Sequence, residues 1–226
     1  KEKITLEDFK ALVSPVAEVY LESLAQKSQK LTQKRFGRLV QLYIPLYISN
    51  ECTNSCVYCG FNFNNNISRV VLSKDQIYRE LIKIKEYGFE HILLVTGEHP
   101  EKCGLNYLLE VMEVVKPMFS HISIEVQPLN VEGYKELIKK GLNTVYIYQE
   151  TYNILNYNKY HPKGNKSNFK YRIETPDRLG KAGAYKIGLG ALLGLEDWRT
   201  EAFFIALHLS YLEKNYWQSK YSISFP

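Results

Sequence analysis

Residues 46–60 carry the sequence LYISNECTNSCVYCG, in which a short apolar segment passes directly into a cluster of cysteines. Cys52, Cys56 and Cys59 are spaced as C-x₃-C-x₂-C, and the preceding residues 42–49 are predicted to form a β-strand. Three thiolates so close together can bind three irons of a [4Fe–4S] cluster and leave the fourth iron open to another ligand. A zinc site completed by Cys103 or a histidine is the alternative.

Composition and charge exclude several classes of protein. The chain has 226 residues, 45% of them hydrophobic, which predicts a folded protein of one large domain or two small ones. It contains no apolar run of 18 residues and therefore no predicted membrane-spanning helix. The net charge of +5 is spread too evenly to indicate nucleic-acid binding, and the basic stretch 27–38 is interpreted as a solvated helix end. Crowded cysteines are unsuited to disulfide bonds, which favours a reducing compartment, the cytoplasm.

Strand-like and helix-like segments alternate along the chain. Ser14-Pro15 predicts the start of an N-terminal helix, and Ser73 and Asn130 are predicted helix N-caps. Alternation of single strands with single helices predicts an α/β fold with a parallel sheet. The predicted strands are 42–49, 91–97, 122–127, 144–150, 186–193 and 221–225, and the helices between them include 106–116, 167–182 with a break at Pro176, and 197–215.

The faces of the predicted strands favour a barrel over an open sheet. A doubly wound parallel sheet is apolar on both faces, and a closed barrel usually has a branched apolar interior. Here one face of four strands is polar, aromatic or glycine-rich, which predicts a barrel whose interior binds a polar ligand. The residues on that face are Ser123, Glu125, Gln127, Tyr146, Tyr148, Glu150, Gly188, Gly190, Ser222 and Ser224.

The cysteine motif resembles that of the radical S-adenosylmethionine (SAM) superfamily, in which an aromatic residue precedes the third cysteine, as Tyr58 does here. That resemblance implies that Gly97-Glu98, after the second strand, binds the amino group of SAM. Over most of its length the chain is similar to the tyrosine lyases of bacterial thiamine thiazole biosynthesis, within that superfamily. The matching segments are 43–47 (YIPLY), 60–61 (GF), 95–99 (VTGEH), 125–129 (EVQPL), 148–152 (YQETY), 174–180 (ETPDRLG), 188–191 (GLGA), 217–219 (WQS) and 222–226 (SISFP).

The resemblance implies roles for several further residues. Glu150 would contact SAM, Arg178 would pair with its carboxylate, and the strand containing Gly188 and Gly190 would lie against its adenine. Glu125 and Gln127 are candidates for substrate contacts, with a structural hydrogen-bonding role equally open. His99 and His161 follow strands and could move protons, but histidines without a carboxylate partner are more often structural.

The implied reaction is cleavage of the Cα–Cβ bond of L-tyrosine to 2-iminoacetate and p-cresol, with SAM converted to methionine and 5′-deoxyadenosine. The implied partners are a thiazole synthase and an electron donor such as flavodoxin or ferredoxin, without nucleic acid or membrane. Two alternatives stay open: the tyrosine lyase of [FeFe]-hydrogenase maturation, and a zinc-stabilised binding domain without catalysis. We expect residues 1–40 to form a helical extension, and residues 41–226 an unclosed six-strand portion of a TIM-type radical SAM barrel.

Overall fold

The computed structural model describes residues 4–226, and its centre is a six-stranded sheet. All strands are parallel and paired in chain order, and the sheet does not close. This confirms the predicted α/β fold and unclosed barrel. The strands are β1 (Ile44–Ser49), β2 (His91–Thr96), β3 (His121–Glu125), β4 (Thr144–Tyr146), β5 (Lys186–Gly190) and β6 (Lys220–Ser224).

Helices connect each strand to the next, as the sequence predicts. Residues 167–182 contain two short helices, because the chain turns at Glu174 and the second helix begins at Thr175, with Pro176 in its first turn. The α-helices are α1 (Leu6–Leu12), α2 (Leu21–Phe36), α3 (Lys74–Glu86), α4 (Leu105–Val115), α5 (Val131–Lys139), α6 (Ile154–Tyr160), α7 (Phe169–Ile173), α8 (Thr175–Ala182) and α9 (Trp198–Asn215). Among the residues that the structure describes, no helix is long and apolar enough to cross a membrane.

The N-terminal segment differs from the expected single helix. After the cap at Ser14 the chain forms a 3₁₀ helix, Pro15–Tyr20, before α2 begins. Val16 and Val19, whose spacing in the sequence is that of an apolar helix face, are 77% and 80% exposed. The basic residues of 27–38 lie on exposed positions of α2 and just beyond it, as predicted. The boundary at residue 40 stays a prediction.

The alternation of side chains along β3 divides the interior into two regions. Ile122 and Ile124 point outward into the core between the sheet and the surrounding helices. Glu125 lies on the opposite face, next to Val95 in the register of β2 and β3, and lines a cavity inside the curved sheet. Because all strands are parallel, their carboxyl ends meet at one rim, where the cysteine motif follows β1.

Candidate active site

The cysteine loop is held in place by backbone hydrogen bonds to two other rim segments. The amide of Thr53 donates to the carbonyl oxygen of Glu98 at 2.9 Å. The amides of Ser55 and Val57 donate to the carbonyl oxygens of Lys163 and Tyr160, each at 3.1 Å. The loop after β2 and the segment after α6 therefore fix the positions of the three thiols.

Gly97 permits the close approach of these two rim loops. A Cβ atom at Gly97 would overlap the carbonyl oxygen of Glu51 and contact the Cβ of Cys52. A side chain would therefore displace the loop just before its first cysteine. Close packing against the cysteine loop is therefore a structural reason for having glycine at position 97.

The three thiols all line one cavity, and such a donor set suits an iron–sulfur cluster. Burial raises the pKa of the Cys56 thiol to about 11, and Glu98 adds to the rise while Lys166 opposes it. Cluster binding would therefore have to displace the proton from this thiol. Within residues 4–226, no three His, Cys, Asp or Glu side chains are grouped to hold one metal ion. A cluster binds each thiolate to a different iron, so its ligands need not converge on one point.

A buried network of charges lines the same cavity as the cysteine loop and contacts that loop through Asn54. Arg172, which is 6% exposed, donates from Nη1 to Oε1 of Glu98 at 2.8 Å and from Nε to the carbonyl oxygen of Tyr148 at 2.7 Å. Its Nη2 is 3.6 Å from Oε1 of Glu150, and the Lys166 ammonium donates to the same oxygen at 2.7 Å. Two cations thus neutralise two carboxylates in a site shielded from water.

Opposing effects determine the charge of Glu98. Burial alone would raise its pKa, but the Arg172 guanidinium and the Lys166 ammonium hold the pKa below its ordinary value. The Asn54 amide, inside the cysteine motif, also donates to Oε2 of Glu98 at 2.9 Å. Glu98 therefore stays ionised and links the cysteine loop to Arg172.

Glu150 has an unusual backbone conformation. Its φ of 68° is the only positive φ among the described non-glycine residues. Its neighbour Gln149 still bonds to β5 through Gly190, and Glu150 bridges to Ala191. Such strained residues cluster at functional sites, where the surrounding structure holds them in place.

Tyr58 is fixed by a buried histidine. Its hydroxyl lies 2.7 Å from Nε2 of His161, and Nδ1 of that ring lies 2.9 Å from the carbonyl oxygen of Tyr157. A proton on Nδ1 satisfies both contacts, because Nε2 then accepts from Tyr58. Burial and the nearby Lys166 lower the pKa of His161 to about 4, so the ring stays neutral. His161 thus orients Tyr58 and bridges two elements of the rim.

The cavity lined by the loop and the network has a volume of about 410 Å³, within the usual range for ligand sites. It opens onto the interior of the barrel. Burial, with the charge of Glu150, raises the pKa of Glu125 in its wall. The lining residues include Tyr47, Cys52, Cys56, Tyr58, Cys59, Gly97, Glu98, Glu125, Tyr146, Tyr148, Glu150, Lys166 and Arg172.

Four predicted site residues do not line this cavity. Gln127 lines a neighbouring cavity instead, because β3 ends at Glu125 and the alternation of faces stops there. A Cβ at Gly188 or Gly190 would overlap the rings of Tyr146 and Tyr148 respectively, so these glycines make room for cavity-lining tyrosines.

Arg178, the fourth, is turned away from the cavity. Its Nε donates to the carbonyl oxygen of Leu129 at 2.9 Å, and Nη2 donates to that of Tyr171 at 2.6 Å. Its guanidinium carbon also lies 3.8 Å from the centre of the Tyr171 ring. The arginine that reaches the cavity is Arg172, six residues earlier and on α7.

Three residues of the site carry no clear sequence signal. Asn54 is inside the cysteine motif, but its spacing does not distinguish it from a spacer residue. Arg172 and Lys166 pair with carboxylates that are distant in sequence, so only the fold brings these charges together.

The remaining candidates from the sequence, His99 and Cys103, lie on the rim outside the cavity lining.

Comparison with known proteins identifies relatives of this site. The 2-iminoacetate synthase of Escherichia coli is 51% identical over 225 residues, covering 99% of this chain and 60% of that protein. The 3-methylornithine synthase of Methanosarcina acetivorans is 33% identical, covering 84% of this chain and 53% of that protein. The crystal structure of the FeFe-hydrogenase maturase HydG from Carboxydothermus hydrogenoformans has a TM-score of 0.93 at 33% identity, covering 99% of this chain and 53% of its own.

The chain thus spans about 60% of the length of the curated 2-iminoacetate synthase. The family model of the radical SAM superfamily matches residues 46–204, which include the cysteine loop, the buried charges and strands β2 to β5. The chain therefore belongs to the radical SAM superfamily, whose cofactors are a [4Fe–4S] cluster and S-adenosylmethionine.

Proposed function

We propose that this chain forms the cofactor-binding part of a radical SAM lyase that cleaves L-tyrosine at Cα–Cβ, giving 2-iminoacetate and p-cresol. SAM is converted to methionine and 5′-deoxyadenosine in the same reaction. The observation that carries the proposal is one cavity lined both by the three cysteines and by the Glu98–Arg172–Glu150 network. The 51% identity to the Escherichia coli 2-iminoacetate synthase supports this choice of reaction, for thiamine thiazole biosynthesis.

Cys52, Cys56 and Cys59 are the proposed cluster ligands. Their shared loop and the cavity beside it leave space for a ligand on an iron that no cysteine binds. When bound, the cluster supplies the electron for reductive cleavage of SAM. The loop contributes three thiolates and a backbone held by Glu98, Tyr160 and Lys163.

Arg172 is the residue proposed to bind the SAM carboxylate. Arg172 lines the cavity, and its Nη2, which lies 3.6 Å from Glu150, is not engaged by the bonds from Nε to Tyr148 and from Nη1 to Glu98. Arg178 supports this arrangement indirectly, because it holds Tyr171, the residue before Arg172. Tyr58 and Gly97 lie on the same wall and are proposed to contact the adenine and the amino group.

Glu125 is the proposed contact for the polar end of tyrosine. It lies in the wall of the cavity that Tyr146 and Tyr148 also line. Burial and the nearby charge of Glu150 raise the pKa of this carboxyl. Gln127, in the neighbouring cavity, has no part in this proposal.

The proposed partners and location follow from the proposed reaction. 2-Iminoacetate would be used by a thiazole synthase, and the electron would come from flavodoxin or ferredoxin. Three cysteines crowded into one loop suit a metal cluster better than disulfide bonds, which supports the cytoplasm as the location.

A second candidate function is tyrosine cleavage during maturation of [FeFe]-hydrogenase. The TM-score of 0.93 to HydG favours it, but the sequence identity of 33% is lower than the 51% to 2-iminoacetate synthase. Both candidate functions would use the cavity described above, so distinguishing between them needs a biological readout.

The test is an anaerobic assay of the full-length holoenzyme with tyrosine, SAM and a reductant. We expect p-cresol, 5′-deoxyadenosine and glyoxylate (the hydrolysis product of 2-iminoacetate), with none of them when SAM is omitted. A Cys56→Ala variant should form none, whereas a Cys103→Ala variant should retain the reaction. Absence of p-cresol from a protein loaded with its cluster would refute tyrosine cleavage.

Growth of a thiamine-requiring strain separates the two candidates. The gene should restore growth without thiamine in a strain that lacks its own 2-iminoacetate synthase. Active p-cresol formation without restored growth would favour the hydrogenase-maturation reaction.

A further inference from the structure

The segment that follows the third cysteine has little packing to hold it. Residues 60–70 form no helix or strand, and residues 63–68 are all exposed. Within this exposed stretch Arg69 is half-buried. A segment with few apolar contacts depends on its hydrogen bonds for a fixed conformation.

Arg69 makes four of those hydrogen bonds from one guanidinium, and the side-chain amides of Asn62 and Asn65 make others to the carbonyl oxygens of Cys56, Cys59 and Gly60. Its Nη1 donates to the carbonyl oxygens of Asn50 at 2.8 Å and Phe61 at 2.9 Å. Its Nη2 donates to the carbonyl oxygens of Asn62 at 2.7 Å and Asn65 at 3.3 Å. The planar side chain therefore ties the segment after Cys59 to the end of β1, and a single ammonium could not span these acceptors.

The clamped segment contacts a cluster ligand directly. The backbone amide of Phe61 donates to Sγ of Cys59 at 3.4 Å. The carbonyl oxygen of the same residue accepts from Arg69, so the guanidinium restrains the turn that carries this amide. Hydrogen bonds to cluster sulfurs stabilise the more negative, reduced state and raise the reduction potential.

We propose that Arg69 is a positioning residue for the iron–sulfur cluster: by clamping the turn at Phe61 and Asn62, it keeps the Phe61 amide on the Cys59 sulfur. The inference rests on the role proposed above for Cys59 as a cluster ligand. Arg69 acts through the geometry of its hydrogen bonds and not through its positive charge alone.

The test compares Arg69→Lys and Arg69→Met in the reconstituted full-length holoenzyme. Arg69→Lys keeps the charge but loses the fork of donors, whereas Arg69→Met loses both. Arg79→Met, at an exposed position on α3, is the matched control. The measurements are the midpoint potential of the cluster from an EPR-monitored titration, the rate of iron release to a chelator, and hydrogen exchange at residues 60–67.

We expect both Arg69 variants to have a more negative midpoint potential, faster exchange at residues 60–67 and about 10- to 100-fold faster iron release. Should Arg69→Met fail to fold, Arg69→Lys alone decides the question. If Arg69→Lys has the midpoint potential, hydrogen exchange and iron release of the wild type, the positioning role is overturned, whatever Arg69→Met does. A wild-type protein that binds no cluster would instead contradict the proposed function itself.

Discussion

Replacing Arg172 with methionine tests whether the buried charge network is organised as described. Methionine fills similar space but leaves Glu98, which is 8% exposed, without its closest cation. Lys166 remains to neutralise Glu150 at 2.7 Å, so the uncompensated charge belongs to Glu98. Removing one partner of a buried ion pair costs about 3–5 kcal/mol, a large part of the stability of a typical domain.

Urea unfolding of the reduced apo-protein, followed by circular dichroism, measures this cost. With an m-value of about 3 kcal/mol per molar urea, the loss corresponds to a midpoint lower by roughly 1–2 M. Arg79→Met, on the exposed face of α3, should change stability by less than about 0.5 kcal/mol.

A double variant distinguishes the ion pair from simple packing. Adding Glu98→Gln to Arg172→Met removes the stranded charge, so we expect recovery of about 1–3 kcal/mol relative to additivity. A cost below about 1 kcal/mol for Arg172→Met, or no recovery in the double variant, would refute the network as the link between the cysteine loop and α7.

Two further predictions concern the rim and the opposite end of the barrel. Gly97→Ala should reduce iron incorporation by about tenfold or more, because its Cβ would overlap the carbonyl oxygen of Glu51. The control is Gly60→Ala, whose Cβ would meet open space and which should incorporate iron normally. Equal iron incorporation in the two variants would contradict the packing argument. His121 stacks on His91, and burial, with that ring and Lys186, lowers its pKa from 6.5. The unfolded chain then binds more protons below pH 6.5, so stability should fall as pH drops from 7.5 to 5.5, and His121→Gln should weaken that dependence in urea titrations. An unchanged pH dependence would contradict this assignment.

The fold was predictable because strand alternation and helix caps are local features. Ser73 and Asn130 cap helices as expected, and Ile122 and Ile124 separate from Glu125 by the two-residue period of a strand. The two-residue period no longer applies after β3 ends at Glu125. Gln127 therefore lines the neighbouring cavity and not the one that its spacing predicted.

The site was less predictable because its charges meet only in three dimensions. Arg172 and Arg178 lie six residues apart on either side of the break at Glu174, and neither spacing nor composition indicates which one turns inward. Arg172 reaches Glu98 across 74 positions of sequence. Likewise, Val16 and Val19 have helical spacing but are exposed, since periodicity alone does not show what covers an apolar face.

Iron content of cysteine variants tests the central claim most directly: the loop at Cys52, Cys56 and Cys59 binds a [4Fe–4S] cluster beside a SAM cavity. After anaerobic reconstitution, we predict about four irons per wild-type chain and an EPR signal that changes when SAM is added. Alanine at any of the three cysteines should abolish both, and Cys103→Ala should retain them. Stoichiometric zinc without iron, or full iron loading of Cys56→Ala, would contradict the account.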